Sequence, residues 1–166
     1  MILVTVGTHY QSFSRLVQKM DEVAAGTSEE VIIQHGHTKF QPAHAITYDF
    51  VDAATYDRLL HQSRILVTHD GAGAMIAGIN AGKPVIVVPR LQCYGELLYT
   101  NKVELAKKLA SMGLLRVVYD VAEIPLVLKN IEQKTSDRKK WVSHKPELIE
   151  KLKGYLAQFA AEVGVA

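Results

Sequence analysis

Apolar residues in this chain follow two patterns: short β-branched runs without alternation, and longer stretches with apolar positions three and four apart. Residues 2–6 (Ile-Leu-Val-Thr-Val) form a run of the first kind, closed by Gly7. Such a run suits a buried strand of a parallel sheet, where both faces are covered and the polar-apolar alternation disappears. Over residues 10–25, Phe13, Leu16, Val17, Met20 and Val23 mark the buried stripe of an amphipathic helix that ends near Gly26. Residues 31–34 and 46–50 read as two further strands, separated by a polar stretch with Gly36, Pro42, His35, His37 and His44. A short helix over 55–62 turns Leu59 and Leu60 inward. The first pattern then returns at 64–69, where Ile65, Leu66 and Val67 make a strand that stops at Asp70-Gly71-Ala72-Gly73. A helix of small residues over 74–81 is closed by Gly82, and a strand over 84–88 ends in Pro89.

The remaining pattern predicts a helix over 96–112, a strand over 115–118 and a helix over 122–132. A polar, basic stretch follows at 133–145, and a last helix at 147–162. Strands and helices alternating at this spacing predict an α/β fold, a Rossmann-like open parallel sheet with helices on both faces. At 166 residues the chain reads as a single domain over 1–166, with 146–166 a C-terminal helix packing back on it.

Composition narrows the partners. Nineteen Lys and Arg against seventeen Asp and Glu leave a formal +2, too little for a nucleic-acid footprint, so no nucleic acid is expected as partner. The single Cys93 excludes an intramolecular disulfide and suits a reducing compartment. Met1 leads straight into strand-like sequence with no basic signal-peptide start, and no apolar run approaches the roughly 20 residues of a membrane span. The expectation is a cytoplasmic protein.

The strongest chemical signal is the turn Thr68-His69-Asp70-Gly71-Ala72-Gly73-Ala74 between a strand and a helix. Glycines there let backbone N–H groups approach a ligand, and the helix start offers unpaired donors at the positive end of its dipole. Diphosphate binding without a metal fits this turn; so does a purely structural role in tight reversal and close packing. The dinucleotide spacing is absent, because Ile76 stands where a third glycine belongs. Gly7-Thr8 closes the first strand at the same edge, with His9 next to it, which makes a two-turn crevice the natural ligand site. Metal ligation by His35, His37, His44 and His69 is the competing reading, disfavoured because no carboxylate or cysteine completes a set at recognisable spacing. Cys93 has no activating neighbour in the sequence and reads as an ordinary thiol. Arg138, Lys139 and Lys140 read as a solvated basic stretch, with contact to anionic lipid headgroups the alternative.

Residues 1–8, the His69-Asp70-Gly71-Ala72-Gly73 turn, residues 81–90 (Ala-Gly-Lys-Pro-Val-Ile-Val-Val-Pro-Arg), and Tyr94-Gly95-Glu96 leading to Glu104-Leu105-Ala106 resemble the C-terminal domain of family 28 glycosyltransferases. They are most similar to stand-alone donor-binding subunits of two-part transferases: bacterial PssE-type polysaccharide proteins and the soluble subunit of the eukaryotic lipid-linked N-acetylglucosaminyltransferase. The resemblance runs from Met1 to about Leu109. It implies the C-terminal half of a GT-B fold, and an inverting hexosyltransferase subunit inactive alone. A UDP-sugar is its substrate, no cofactor or metal is expected, and a membrane-anchored, acceptor-binding protein is its partner, with homo-oligomers as a further form. That partner would recruit it to the inner face of the membrane for polysaccharide or lipid-linked saccharide assembly. Carried over by position, Gly7, Thr8, His9, His69, Gly71, Ala72 and Gly73 surround the diphosphate, while Arg90, Tyr94, Gly95, Glu96 and Asn101 border the sugar or uridine; no general base is assigned. Ala77 replaces the usual ribose-holding acid, and Lys102 replaces a glutamine common in these subunits. Both changes favour a second reading, a non-catalytic nucleotide-sugar-binding or regulatory protein.

Overall fold

The computed structural model describes residues 1–97 and 103–131. Six strands, β1 (Ile2–Thr5), β2 (Val31–Gln34), β3 (Ile46–Tyr48), β4 (Ile65–Thr68), β5 (Val85–Val87) and β6 (Arg116–Val117), alternate with helices α1 (Ser14–Ala25), α2 (Ala53–Gln62), α3 (Ala72–Asn80), α4 (Glu104–Ser111) and α5 (Ile124–Asn130). The strands lie in the order β3-β2-β1-β4-β5-β6. Every neighbouring pair is parallel. From β1 the chain steps outward to β2 and β3, then returns to place β4 on the other side of β1, so the winding reverses between β1 and β4. Thr5 sits beside Thr68 in that pair, which brings the turns leaving the two strands side by side.

Both faces of the sheet are covered, which is why the strands read as unbroken apolar runs. Ile2, Val4, Ile33, Val67 and Ile86 face a layer built from Phe13, Leu16, Val17 and Met20 near α1 and Ile124, Val127 and Leu128 of α5. Leu3, Ile32, Leu66, Val85 and Val87 face Leu59 and Leu60 of α2, Met75 and Ile79 of α3, and Ala106 and Leu109 of α4. Gly78 lets α3 lie close to the sheet, since a Cβ there would stand 2.7 Å from both Leu66 Cδ2 and Val85 Cγ2.

Differences from the sequence pattern have local causes. The first helix starts at Ser14 rather than near residue 10, because residues 7–13 form a loop whose end is tied down when Phe13 N–H donates to Thr38 Oγ1 at 3.1 Å. The second starts at Ala53, two residues earlier than the apolar pattern indicates, with the Asp52 side chain capping it by accepting from Thr55 N–H. The helix expected over 96–112 is described only from Glu104: Gln92–Tyr94 is a 3-10 turn ended by Gly95 in the left-handed region (φ +68°), and Glu96 turns inward. The helix expected over 122–132 opens as a 3-10 turn at Val121–Glu123. The stretch 133–145 and the helix expected over 147–162 lie outside the described residues. Among the described residues, no helix is long and apolar enough to cross a membrane.

Candidate functional site

In a parallel sheet with this strand order, ligands collect at the carboxyl edge where the winding reverses. Here that point lies between the loops leaving β1 and β4. Gly7 opens the first loop with φ +74°, a conformation that L side chains rarely adopt. Its carbonyl accepts from Gln34 Nε2 at 3.2 Å, and the same amide donates to Asp49 O at 2.9 Å. Gly36, also at positive φ, lies so near that a Cβ there would be 2.8 Å from Gly7 O. Thr5 Oγ1 bonds Gln34 Oε1 and receives Gly7 N–H at 3.3 Å, so the turn is held from three sides.

His69 fills the gap between the two turns. A Cβ on Gly7 would fall 2.5 Å from its Cε1, and one on Gly71 would fall 2.2 Å from its Nε2. A side chain at either glycine would displace the imidazole between them, a constraint additional to turn geometry. The ring is held at Nδ1, 3.3 Å from Thr68 Oγ1, and the His69 N–H donates to Thr5 O. Burial and then the nearby Arg90 charge hold its pKa below the ordinary histidine value, with Asp70 opposing. The ring is neutral at pH 7.

Beyond His69, Gly71 caps α3 without a side-chain hydrogen bond. Met75 N–H is the donor to Gly71 O, at 3.2 Å, so Ala72, Gly73 and Ala74 precede the first helical bond and have no intrahelical acceptor. Ala72 and Gly73 are exposed, and a Cβ on Gly73 would meet nothing within 4 Å. An electropositive helix start with open space above it can take an anion. Thr8 and His9 are exposed on the neighbouring loop; the His9 ring stacks on Tyr10 at 4.8 Å and accepts Gln11 N–H at Nδ1.

Arg90 and Glu96, expected at the ligand, instead sit inside the wall. Arg90 is 2% exposed; its Nη1 donates to Gln11 O and Ser12 O (2.9 and 3.2 Å) and its Nη2 to Val6 O (3.1 Å). Glu96 is 3% exposed and receives Arg15 Nε and Nη2, each at 3.0 Å, and Leu91 N–H at 2.8 Å. Tyr94 and Gly95 of the same segment remain exposed. Asn101 and Lys102 lie outside the described residues. Lys83, from the Gly-Lys-Pro of the sequence, is on the opposite edge, donating to His61 O in the last turn of α2 and to Ser63 O at its cap.

The histidines separate rather than converge. His35 is buried with Nε2 3.1 Å from Asp49 Oδ1, His37 packs edge-on against Phe50, and His44 meets Asp21, which also accepts the N–H groups of Ala43, His44 and Ala45. Among the described residues, no three His, Cys, Asp or Glu side chains are grouped to hold a metal. Cys93 is exposed. Gln34, Gly36 and Arg15 were not singled out in the sequence. Gly36 carried a signal, a lone glycine just past a strand, whereas Gln34 and Arg15 look like ordinary polar positions until the loops they hold are seen.

Residues 1–153 match the family model described as the glycosyltransferase family 28 C-terminal domain. No curated protein matches the sequence. Among solved structures, the glycotransferase of kitacinnamycin is similar at a TM-score of 0.58 and 23% identity, over 92% of this chain and 37% of that one. The calicheamicin glycosyltransferase CalG4 is similar at 0.60 and 18%, over 82% and 34%. The spinosyn forosaminyltransferase SpnP is similar at 0.58 and 15%, over 91% and 43%. At these identities the likeness is one of fold, and the chain spans less than half of the length of these structures.

Proposed function

Because the chain belongs to the glycosyltransferase family 28 C-terminal domain family, we propose that it is the donor-binding part of an inverting transferase that uses a UDP-sugar. The observation that carries this reading is the neutral His69 ring set between Gly7 and Gly71, directly before an uncapped, open helix start at the switch point of the sheet. The diphosphate lies against the N–H groups of Ala72, Gly73 and Ala74 and near Gly7, Thr8 and His9. Tyr94 and Gly95 border the sugar or uridine.

In the reaction an acceptor hydroxyl oxygen attacks the anomeric carbon as the bond from that carbon to the β-phosphate oxygen breaks, and UDP leaves with the bonding electrons. Preorganised N–H donors stabilise the charge that grows on the leaving diphosphate, the role a metal ion fills elsewhere. The acceptor proton passes to a base outside the described residues. That base and the acceptor site come from an acceptor-binding partner, a membrane-associated polypeptide that brings the chain to the inner membrane face for polysaccharide or lipid-linked saccharide assembly.

A second reading, a nucleotide-sugar-binding regulator without turnover, is favoured by Ala77. Its side chain packs against the apolar layer between α3 and the sheet, so α3 offers no carboxylate to a ribose at that position. Calorimetry with UDP and several UDP-sugars tests both readings. Binding that is followed by sugar transfer once the co-purified partner is added supports the first; binding with no transfer supports the second. No binding at millimolar nucleotide, with or without partner, overturns both.

A further inference from the structure

Two guanidinium groups in the wall of the crevice approach one aromatic ring. The Arg90 carbon Cζ stands 4.6 Å from the centroid of Phe13, and that of Arg15 stands 5.4 Å from it. Phe13 itself is fully buried at the start of α1. We propose that Arg90 and the Arg15–Glu96 pair form a positioning clamp that locks the loops leaving β1 and β5 into one wall and thereby sets Thr8, His9 and Tyr94 at the mouth of the crevice.

Arg90 reaches both ends of the first loop at once. It holds Val6 O where the strand ends, and Gln11 O and Ser12 O just before the helix. The four residues between, Gly7 to Tyr10, are closed into a ring by a single side chain, and Thr8, His9 and Tyr10 are exposed. Only a rigid planar fork can serve carbonyls on both sides of such a loop; a lysine ammonium would satisfy fewer of them. Arg90 N–H also donates to Asp70 Oδ1 at 3.4 Å, which ties the same residue to the turn after β4.

The second half of the clamp starts on α1. Arg15 donates to both oxygens of Glu96, to Pro89 O at 2.9 Å and to Tyr119 O at 2.8 Å, and its guanidinium lies 4.8 Å from the exposed Tyr94 ring. Glu96 in turn accepts Leu91 N–H and so closes the Leu91–Glu96 segment on itself. A buried carboxylate between these cations keeps the arrangement charged: burial disfavours the Arg90 charge, while Glu96 and Asp70 support it. Truncating such a network strands its partners in a low-dielectric wall.

Backbone order parameters of the whole chain, measured by nitrogen-15 relaxation, test the clamp without any ligand. Arg90→Lys and Glu96→Gln are each compared with Glu29→Gln, which breaks a distant ion pair. In the wild type the order parameters of Thr8, His9 and Tyr10 are expected near about 0.85, and in Arg90→Lys below about 0.6. Glu96→Gln lowers those of Gln92 to Tyr94, and Glu29→Gln changes neither loop. Loops as ordered in both clamp variants as in the wild type overturn the proposal, as does a uniform loosening that Glu29→Gln shares. If Arg90→Lys does not fold, Arg15→Lys, which keeps the charge and loses the fork, reads the Gln92 to Tyr94 half of the clamp, and order there equal to the wild type overturns the proposal. The effect on ligand rests on the donor-binding reading: UDP affinity falls about tenfold in the clamp variants and stays unchanged in Glu29→Gln. A wild type that binds no UDP removes the reading, and the order parameters still decide the clamp.

Discussion

The two edges of the sheet are built from different materials. At the amino edge, a cavity of about 500 Å³ opens between α1 and α5, with Ile2, Val23 and Leu128 beside Lys19, Glu29 and Arg64. Its central charge is well satisfied: Glu29 receives Arg64 Nε and Nη2 at 2.9 and 2.6 Å and the Met1 amino group at 2.9 Å. At the carboxyl edge the groups around the switch point are backbone donors, two glycine turns and a neutral imidazole, and Arg90 and Glu96 are withdrawn into the wall. The first edge offers an open cavity. Chemistry favours the second, because helix starts of a parallel α/β sheet point their unpaired N–H groups there. The difference teaches that the proposed diphosphate site is set apart by unpaired backbone donors rather than by emptiness.

Breaking the carboxyl edge has the largest expected effect. Gly71→Leu places its Cβ into the His69 ring, which must move, and UDP affinity should fall at least about 100-fold while the circular dichroism spectrum is kept. Unchanged affinity in calorimetry would show that the turn is structural only. Gly7→Ala meets the same ring and also carries positive φ, so it should cost about 1–3 kcal/mol of folding stability in urea titrations as well as weaken UDP.

The amino edge responds to acid instead. Arg64 and the N-terminal ammonium hold the Glu29 pKa down at about 2 from 4.5. Its folded pKa lies below its unfolded one, so its contribution is complete above about pH 4.5 and is lost as pH falls toward 2. Glu29→Gln should therefore lower stability by about 1 kcal/mol at pH 7, flatten the acid limb, and leave nucleotide affinity alone. Loss of UDP binding in this variant would reverse the contrast between the edges.

The smallest effect concerns His69. Burial lowers its pKa, so in the free protein the ring favours folding above its ordinary value of 6.5 and opposes it as the pH falls and the ring must charge. A bound diphosphate favours the charged form, so UDP binding should take up a proton and tighten a few-fold between pH 8 and pH 6. Calorimetry in two buffers of different ionisation enthalpy counts that proton; none taken up near pH 6.5 means the ring does not face the phosphate.

Much of the architecture was legible along the chain. Buried strands β1, β4 and β5 announce themselves because unbroken β-branched runs between glycines have few other uses. Helix α1 was legible from Leu16, Val17 and Met20, though not its start, because Phe13 lies on the same stripe while belonging to the loop. The glycine turns were legible as candidates for a site. What could not be read was why Gly7 and Gly71 are glycines, since the imidazole between them is 62 positions from the first and two from the second. Nor could Arg90 and Glu96 be placed correctly, because a charged residue near a turn looks the same in sequence whether it faces solvent or the chain.

Local propensity and period determined the elements, which depend on neighbours a few residues away, and their alternation indicated a parallel sheet and the edge where its ligands collect. Tertiary structure decided which polar groups remain free at that edge. Arg90 bonds carbonyls 78 or more positions away, and Arg15 pairs with a carboxylate 81 positions away. Burial makes such pairings obligatory, since an unpaired charge inside the wall would cost several kcal/mol, and no local pattern records which distant partner satisfies it.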